Sequence, residues 1–489
     1  MNIIFRAPQS VNGYVSRMLN RLDDEIIIDK CVVIEQTDGK ENYNSDKFIR
    51  INASVGYNDT FNRICDLEEI PAIDGSVLVK MEPYKSMALN MFGIRKYDLY
   101  TGTYFELEEE YLRNVRFWDY IIEKYDIDFA FFSVVPHLGW EYILYNLCKV
   151  KEIPILVLYP YQSGLYSMGT DIDNIGVSTR RLLCEDISLN ETSLHDIVKQ
   201  YIQVSSKEKS FTPINQKKSD RIEYIKSYHN KLLHPFSAKI LFNDFINPHR
   251  HLSWDLKTIC AIRKARSQAE DTVGIDYYNK RALSHPDYKT KYVFFALQLT
   301  PECSTMPMAG VFNNQLNSIR LLAYSLKAYN IKLYVKEHWI QTFRPKKFYD
   351  ELFAIPNVTC VKAYVDSYDL MKYDIANATQ TGTIISESII KKKPVFCFVK
   401  GWWYGQKGVY YIQDKVDVDK ALDEIDTLEL PDNDVSKYFL ALENTMIRWK
   451  LDYYEETAKF KDDDIIDDFV DLVKKYVNSD FDPHFSYYR

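Results

Sequence analysis

The stretch KLYVKEHWIQ, Lys332 to Gln341, runs from an apolar strand pattern straight into three ionisable side chains, Lys336, Glu337 and His338. In α/β proteins ligands gather at the carboxyl ends of parallel strands, where loops converge while the sheet stays rigid. An imidazole there can donate a hydrogen bond to an anionic oxygen or protonate a departing one, because it titrates near neutrality. The plainer alternative is a satisfied surface or core histidine, one of nine in the chain. A second cluster lies in DIANATQTGTIISESIIKKKPVFCFV, where a strand ends near Ala378, Thr381-Gly382-Thr383 makes a turn, and a helix carries Glu387 in its first or second turn. Unpaired N–H groups at a helix start favour an anion, and Gly382 allows close backbone approach. Thr383 is alternatively only an N-cap. A helix end contributes about 0.3–2 kcal/mol to a nearby charge, whereas even a millimolar ligand needs about 4 kcal/mol. The turn therefore needs partners, and Lys336 and His338 at a neighbouring strand end are the obvious ones. Glu387, too far along its helix to repel an anion strongly, can accept hydrogen bonds from ribose hydroxyls.

A third cluster, ALQLTPECSTMPMAG, offers Gln298, Glu302, Ser304, Thr305 and Gly310, with Asn313, Asn314 and Gln315 at the start of the next helix. It reads equally as an ordinary polar loop. In the first half of the chain, SVVPHLGWEY places His137 at the end of the strongest strand, beside Ser133, Gly139 and Glu141. Such a histidine either takes a proton from an acceptor hydroxyl or caps the next helix. Arg6, Gln9, Ser10, Asn12 and Gly13 follow the first strand as loop lining that faces the expected cleft. No metal site is expected: the scattered Asp-x-Asp pairs lack a second ligand cluster, and His249 and His251 in NPHRH, two apart on a helix, face away from each other.

These clusters need strands to carry them, and the pattern supplies strands. Short apolar runs (NIIF, GSVLVKM, DFAFFSVV, IPILVLYP) alternate with helix-length segments, as expected of parallel strands with crossover helices. The clearest unit is Asp128 to Pro160: strand, helix, strand, set in one sheet by the right-handed crossover rule. The alternation lapses over a basic stretch rich in helical segments and resumes with YVFFAL, KLYVKE, VTCVKA, DIANATQ and PVFCFVK. The expected architecture is α/β, two Rossmann-like doubly wound domains facing across a cleft, with a helical connector and a helical tail. The expected bounds are 1–204, 205–290 for the connector, 291–430, and 431–489 for the acidic tail.

Length and composition agree with two cores: 489 residues, 46% hydrophobic and 15% aromatic, too apolar for a disordered chain. A net charge of −8 argues against a general nucleic-acid binder. Basic residues nevertheless crowd between Lys217 and Lys291, which reads as a solvated helix face or as a surface meeting anionic membrane lipid or glycan. Eight scattered cysteines without a C-x-x-C pair fit a reducing compartment. With neither a secretory leader nor a membrane span in the pattern, the expected location is cytoplasmic, with peripheral contact at the inner membrane face through 217–291.

The segments YVFFALQLTPECSTMPMAGVFNNQLNSIRLLAYSL, KLYVKEH and TQTGTIISESIIKKKPVFCF, in that order, resemble the capsule polysaccharide biosynthesis glycosyltransferases, which include transferases of 3-deoxy-D-manno-octulosonic acid (Kdo). The resemblance covers about 291–399. It implies the two-domain GT-B architecture and transfer of a sugar from a nucleotide donor, a CMP-sugar such as CMP-Kdo being favoured, to a glycan or glycolipid acceptor. It further implies that His338 and the Thr381-Gly382-Thr383 turn bind the donor phosphate, that Glu387 binds the ribose, and that Glu302 and Gln315 lie near the donor sugar or base. Gln298 stands where such enzymes usually carry histidine, and Trp339 where proline commonly follows the histidine. No cofactor or metal is required, since a CMP ester departs with hydrogen-bond donors alone. Two alternatives stay open: a CDP-polyol phosphotransferase of the teichoic-acid type, and a non-catalytic module that binds sugar nucleotide or glycan.

Overall fold

The structure, a computed structural model, describes residues 1–8, 13–35, 43, 45–52, 69–95, 103–161, 164–184, 199, 202–203, 205–206, 272–341, 343–450 and 460–488. The chain opens with β1 (Asn2–Arg6), α1 (Tyr14–Glu25), β2 (Lys30–Glu35) and β3 (Phe48–Asn52). There follow α2 (Gly75–Arg95), α3 (Tyr104–Lys124), β4 (Phe129–Phe132), α4 (Gly139–Val150), β5 (Ile155–Pro160), β6 (Leu165–Gly169) and α5 (Val177–Cys184). Strands β3, β2, β1, β4 and β5 lie side by side and parallel. The apolar strands alternate faces, as a period of two requires. Ile3 and Phe5 of β1 pack with α1, whereas Ile4 faces the cluster that includes Tyr111, Val115 and Trp118 of α3. On α1, Val15, Met18, Leu19 and Leu22 follow helical spacing and are buried together.

The second half begins with β7 (Thr272–Gly274), α6 (Ile275–Arg281), β8 (Tyr292–Ala296), α7 (Gln315–Lys327), β9 (Lys332–Lys336), β10 (Phe343–Pro345) and α8 (Lys346–Ala354). It continues through β11 (Val358–Val361), α9 (Ser367–Tyr373), β12 (Ala376–Thr379), α10 (Ile384–Ile390), β13 (Val395–Cys397), β14 (Val409–Tyr411) and α11 (Lys415–Ile425). Six of its strands form one parallel sheet, in the order β11-β9-β8-β12-β13-β14. The two sheets thus share one winding. In each, chain order reverses direction beside the first strand: between β1 and β4, and between β8 and β12. Those two switch points are where a doubly wound sheet leaves a crevice at its strand ends.

Several expectations change. GSVLVKM, read as a strand run, lies in α2, because the helix-forming residues that follow continue one helix to Arg95 and its Met81, Ala88 and Met91 join the helical side of the first core. Strands β2 (KCVVIE) and β3 (FIRIN) extend the first sheet on the far side of β1, and neither is among the apolar runs singled out in the sequence. Of the 205–290 connector, 207–271 lies outside the described residues, and with it most of the basic zone. The remainder joins the second domain: β7 pairs antiparallel with β10, and Tyr278 of α6 donates to Val335 O and Val361 O (2.8 and 2.7 Å). The tail is helical in α12 (Asp432–Thr445) and α13 (Asp462–Asn478), but it returns to the first domain and adds β15 (Ile447–Arg448) to β6. Ile465, Phe469, Leu472 and Val473 of α13 lie against Phe5 and Phe131, apolar burial that holds the return. Among the described residues no helix is long and apolar enough to cross a membrane.

The domains meet through β5, α5 and the segment after β13. A Cβ on Gly176, whose φ is +80°, would come within 2.6 Å of the Trp402 Cα, so only glycine admits this approach. The Trp402 ring lies 4.8 Å from that of Tyr159 and 5.7 Å from that of Tyr161.

Candidate functional site

The loop after β8 and the turn after β12 are joined by one side chain. The Gln298 amide donates to Thr381 Oγ1 and accepts from the Thr381 N–H, both at 3.1 Å. The Gln298 backbone is held on its other side: its N–H donates to Gln315 Oε1 (2.9 Å), and its carbonyl accepts from Gln315 Nε2 (2.9 Å) and Arg344 Nη2 (2.7 Å). Gly382 is tight for the same reason, since a Cβ there would stand 3.0 Å from Thr379 Oγ1 and 3.4 Å from Gln298 Nε2. Thr383 makes no side-chain cap and donates instead towards Glu387 Oε1 (3.4 Å). The Ile385 N–H is spent on Gly382 O, while the Gly382, Thr383 and Ile384 N–H groups have no backbone acceptor among the described residues.

Thr381, Gly382 and Thr383 line a cavity of about 180 Å³ whose opposite wall is Tyr159, Pro160 and Tyr161, from the end of β5 in the first domain. Burial, with the Cys303 and Glu302 side chains nearby, pushes the Tyr159 phenol well above its ordinary range, so it stays a neutral hydroxyl. Tyr161 donates to Ser386 Oγ (3.3 Å) on α10. Glu302 accepts from Ser304 Oγ (2.7 Å).

The opening cluster separates into three fates. Lys336 is buried and its ammonium is turned to Ala363 O (3.4 Å), on the β11 side and away from β12; the expected pairing of Lys336 with the turn is corrected accordingly. Glu337 is sealed in the interior, bonded by Arg344 Nε (2.6 Å) and Nη2 (3.1 Å) and by the Tyr349 hydroxyl (3.0 Å). His338 remains half-buried at the strand end. Its Nδ1 accepts from the Ile340 N–H (3.3 Å), so in the neutral ring the proton sits on Nε2, which is therefore a donor.

At the switch point of the first sheet the arrangement is charged. Arg6, last residue of β1, bonds Glu141 Oε1 (2.9 Å), Ser133 Oγ (3.0 Å) and Ala7 O (2.8 Å), and both charged partners are buried. Burial alone would raise the Glu141 carboxyl, but Arg6, His137 and the His137 N–H hold it below its usual range. Glu141 Oε2 takes the N–H groups of His137 and Leu138 (both 3.2 Å), fixing the loop after β4. The His137 Nδ1 lies 2.8 Å from Val135 O, an acceptor only, so the neutral ring carries its proton there and its basic nitrogen is Nε2.

Of the expected site residues, Gln298, Thr381 and Gly382 are in direct contact, with Glu302, Thr383 and Glu387 around the same cavity side. Gln315, expected near the donor sugar or base, bonds its amide to the Gln298 backbone and to Thr300 Oγ1. Arg6 is corrected from loop lining to a buried ion-pair partner. Gly13 is at the cap of α1 in the left-handed conformation, φ 75°, and its carbonyl accepts from Ser16 Oγ. Gln9, Ser10 and Asn12 lie outside the described residues. The sequence reading missed Arg344, Tyr159, Tyr161 and Trp402; for the aromatics the signal was the Tyr-Pro-Tyr exit of a strong strand. Among the described residues no group of three His, Cys, Asp or Glu is arranged to hold a metal.

Two doubly wound domains facing across a cleft give this chain the GT-B-like architecture. No family model matches it, and no curated protein matches it. Solved structures to which it is similar include the KpsC β-Kdo 2,7-transferase of Thermosulfurimonas dismutans, at 10% identity over 76% of this chain and 91% of that one, TM-score 0.32. The UDP-GlcNAc 2-epimerase of Methanocaldococcus jannaschii is similar at 10% identity over 90% and 97%, TM-score 0.25. A glycosyltransferase of Rickettsia africae is similar at 12% identity over 99% and 98%, TM-score 0.22. Likeness at this level carries no argument, and the architecture rests on the two strand orders.

Proposed function

We propose that the protein is a glycosyltransferase that moves a sugar from a nucleotide-activated donor, a CMP-sugar such as CMP-Kdo or a related ulosonic acid being favoured, to a growing surface polysaccharide or glycoconjugate. One observation carries this reading: the Thr381-Gly382-Thr383 turn, at the switch point of the second sheet, opens into a cavity walled by the first domain. Exposed amides at such a turn suit a phosphate ester. Strand β8 separates the ends of β9 and β12, a span of roughly 10 Å. A phosphate gripped by both the turn and His338 therefore lies over the end of β8, above Gln298.

In the reaction the acceptor hydroxyl oxygen bonds to the anomeric carbon as the bond from that carbon to the phosphate oxygen breaks. His137 Nε2 takes the hydroxyl proton. The departing phosphate is stabilised by the Gly382 region amides and by the His338 Nε2–H, donors already oriented before charge develops. Glu387 accepts hydrogen bonds from the ribose. The reading requires no metal. Peripheral attachment to an anionic membrane through 217–291 belongs to the same proposal.

Calorimetric titration with CMP, CDP and UDP, followed by a donor panel scored for the nucleotide released, tests it. The expected result is preferential CMP binding and CMP release from a CMP-sugar. Release of CMP from a CDP-polyol would instead select phosphotransfer, and binding of no nucleotide at all would remove the proposal.

A further inference from the structure

A second cavity, of about 330 Å³, lies on the other side of Gln298, between α7, the β10–α8 junction and α2 of the first domain. We infer that it is a binding site for one neutral saccharide unit, which as the acceptor end would stand next to the donor turn with Gln298 as the partition. The volume falls at the low end of the range for small-molecule sites, about 300–1,000 Å³.

The lining decides the ligand's chemistry. Asn90 and Asn313 contribute amides, each of which donates and accepts, matching hydroxyls that do the same, and Asn314, whose Oδ1 takes the Leu316 N–H, adds its NH2 as a donor. Phe348, one face of which carries the Arg344 guanidinium at 4.7 Å, adds aromatic surface suited to the C–H face of a sugar ring. The cations around it already have carboxylate partners: Arg344 is bonded to Glu337, and Lys347 shares Glu351 (3.8 Å) with Arg320. A phosphate or a carboxylated sugar would have to compete with these carboxylates, so a neutral ring fits better than an anion. A lipid tail fits poorly, since burying unpaired amides against hydrocarbon is unfavourable.

The cavity is tied to the transfer site by bonds. Arg344 and Gln315 both line it and both hold the Gln298 carbonyl, while the Gln298 side chain holds Thr381 in the smaller cavity. The first domain closes the wall: Asn90 lies on α2, and the Asn313 amide reaches Met87 Sδ on the same helix (3.7 Å). The acceptor role rests on the transferase reading; the binding itself does not.

The test is saturation-transfer NMR of the full chain with the methyl glycosides of glucose, galactose, mannose and N-acetylglucosamine, run beside a CMP titration. Wild type should bind at least one glycoside. Asn90→Ala, an exposed position that leaves the fold intact, and Phe348→Ala should each weaken that binding at least about tenfold, with CMP affinity changed less than about twofold. No glycoside binding to wild type, or binding untouched by both substitutions, overturns the site. Glycoside binding lost in the variants, with CMP, CDP and UDP all failing to bind wild type, supports the site and removes the transferase reading.

Discussion

The two switch points are built on one winding but closed by different chemistry. In the first domain a buried guanidinium–carboxylate pair, Arg6 with Glu141, spans β1 and the helix after β4. In the second, amides span the same place, Gln298 to Thr381 and Gln315, and the buried pair Arg344–Glu337 is displaced to the β9 side. A desolvated ion pair locks geometry, because removing one partner strands a charge. Amide bonds are individually weaker and exchange partners at lower cost. The histidines differ in the same sense: His137 is set by a carbonyl to present a basic Nε2, and His338 by an N–H to present a donating Nε2. In the proposed transfer the first would take the acceptor proton and the second would hold the anion.

That contrast breaks most visibly at Glu141. Glu141→Ala should cost about 3–5 kcal/mol in denaturant unfolding, with Glu337→Ala similar, whereas the paired change Arg6→Met with Glu141→Leu should recover most of it; a loss under about 1 kcal/mol would show that charge does not lock the first crevice. Gly382→Val should lower CMP affinity at least about a hundredfold with a smaller effect on unfolding, since its side chain would meet Thr379 and Gln298. Next in size, Gln298→Ala leaves the Thr381 N–H without its acceptor, at about 1–3 kcal/mol, and should weaken CMP by about tenfold. Calorimetry against denaturation separates these two effects. The smallest is a pH effect. The Glu141 carboxyl is held below its usual range, so its contribution is present above the unfolded value, about 4.3, and is lost as pH falls through the folded one. Melting temperatures should therefore fall more steeply on the acid side for wild type than for Glu141→Gln.

The strand exits at Gln298, His338 and Thr381 were legible because each follows a short run of buried residues, and a parallel sheet leaves such ends open. Direction was less legible. Lys336 stands two residues before His338, yet its ammonium reaches sideways to Ala363 O on the β11 side, a direction that no period in the sequence states. The Arg6–Glu141 pair joins residues far apart in sequence, and no local pattern announces such a partner. Arg344 sits in a three-residue strand too short to show a period. The return of the tail was hidden in the same way: β15 has two residues, and the apolar face of α13 states that it is covered without stating by what.

The most direct measurement is the crystal structure of the complex with CMP. The account predicts the phosphate over the end of β8, its oxygens within hydrogen-bond distance of both the Gly382 N–H and His338 Nε2. A phosphate seated beyond the reach of both groups would contradict it.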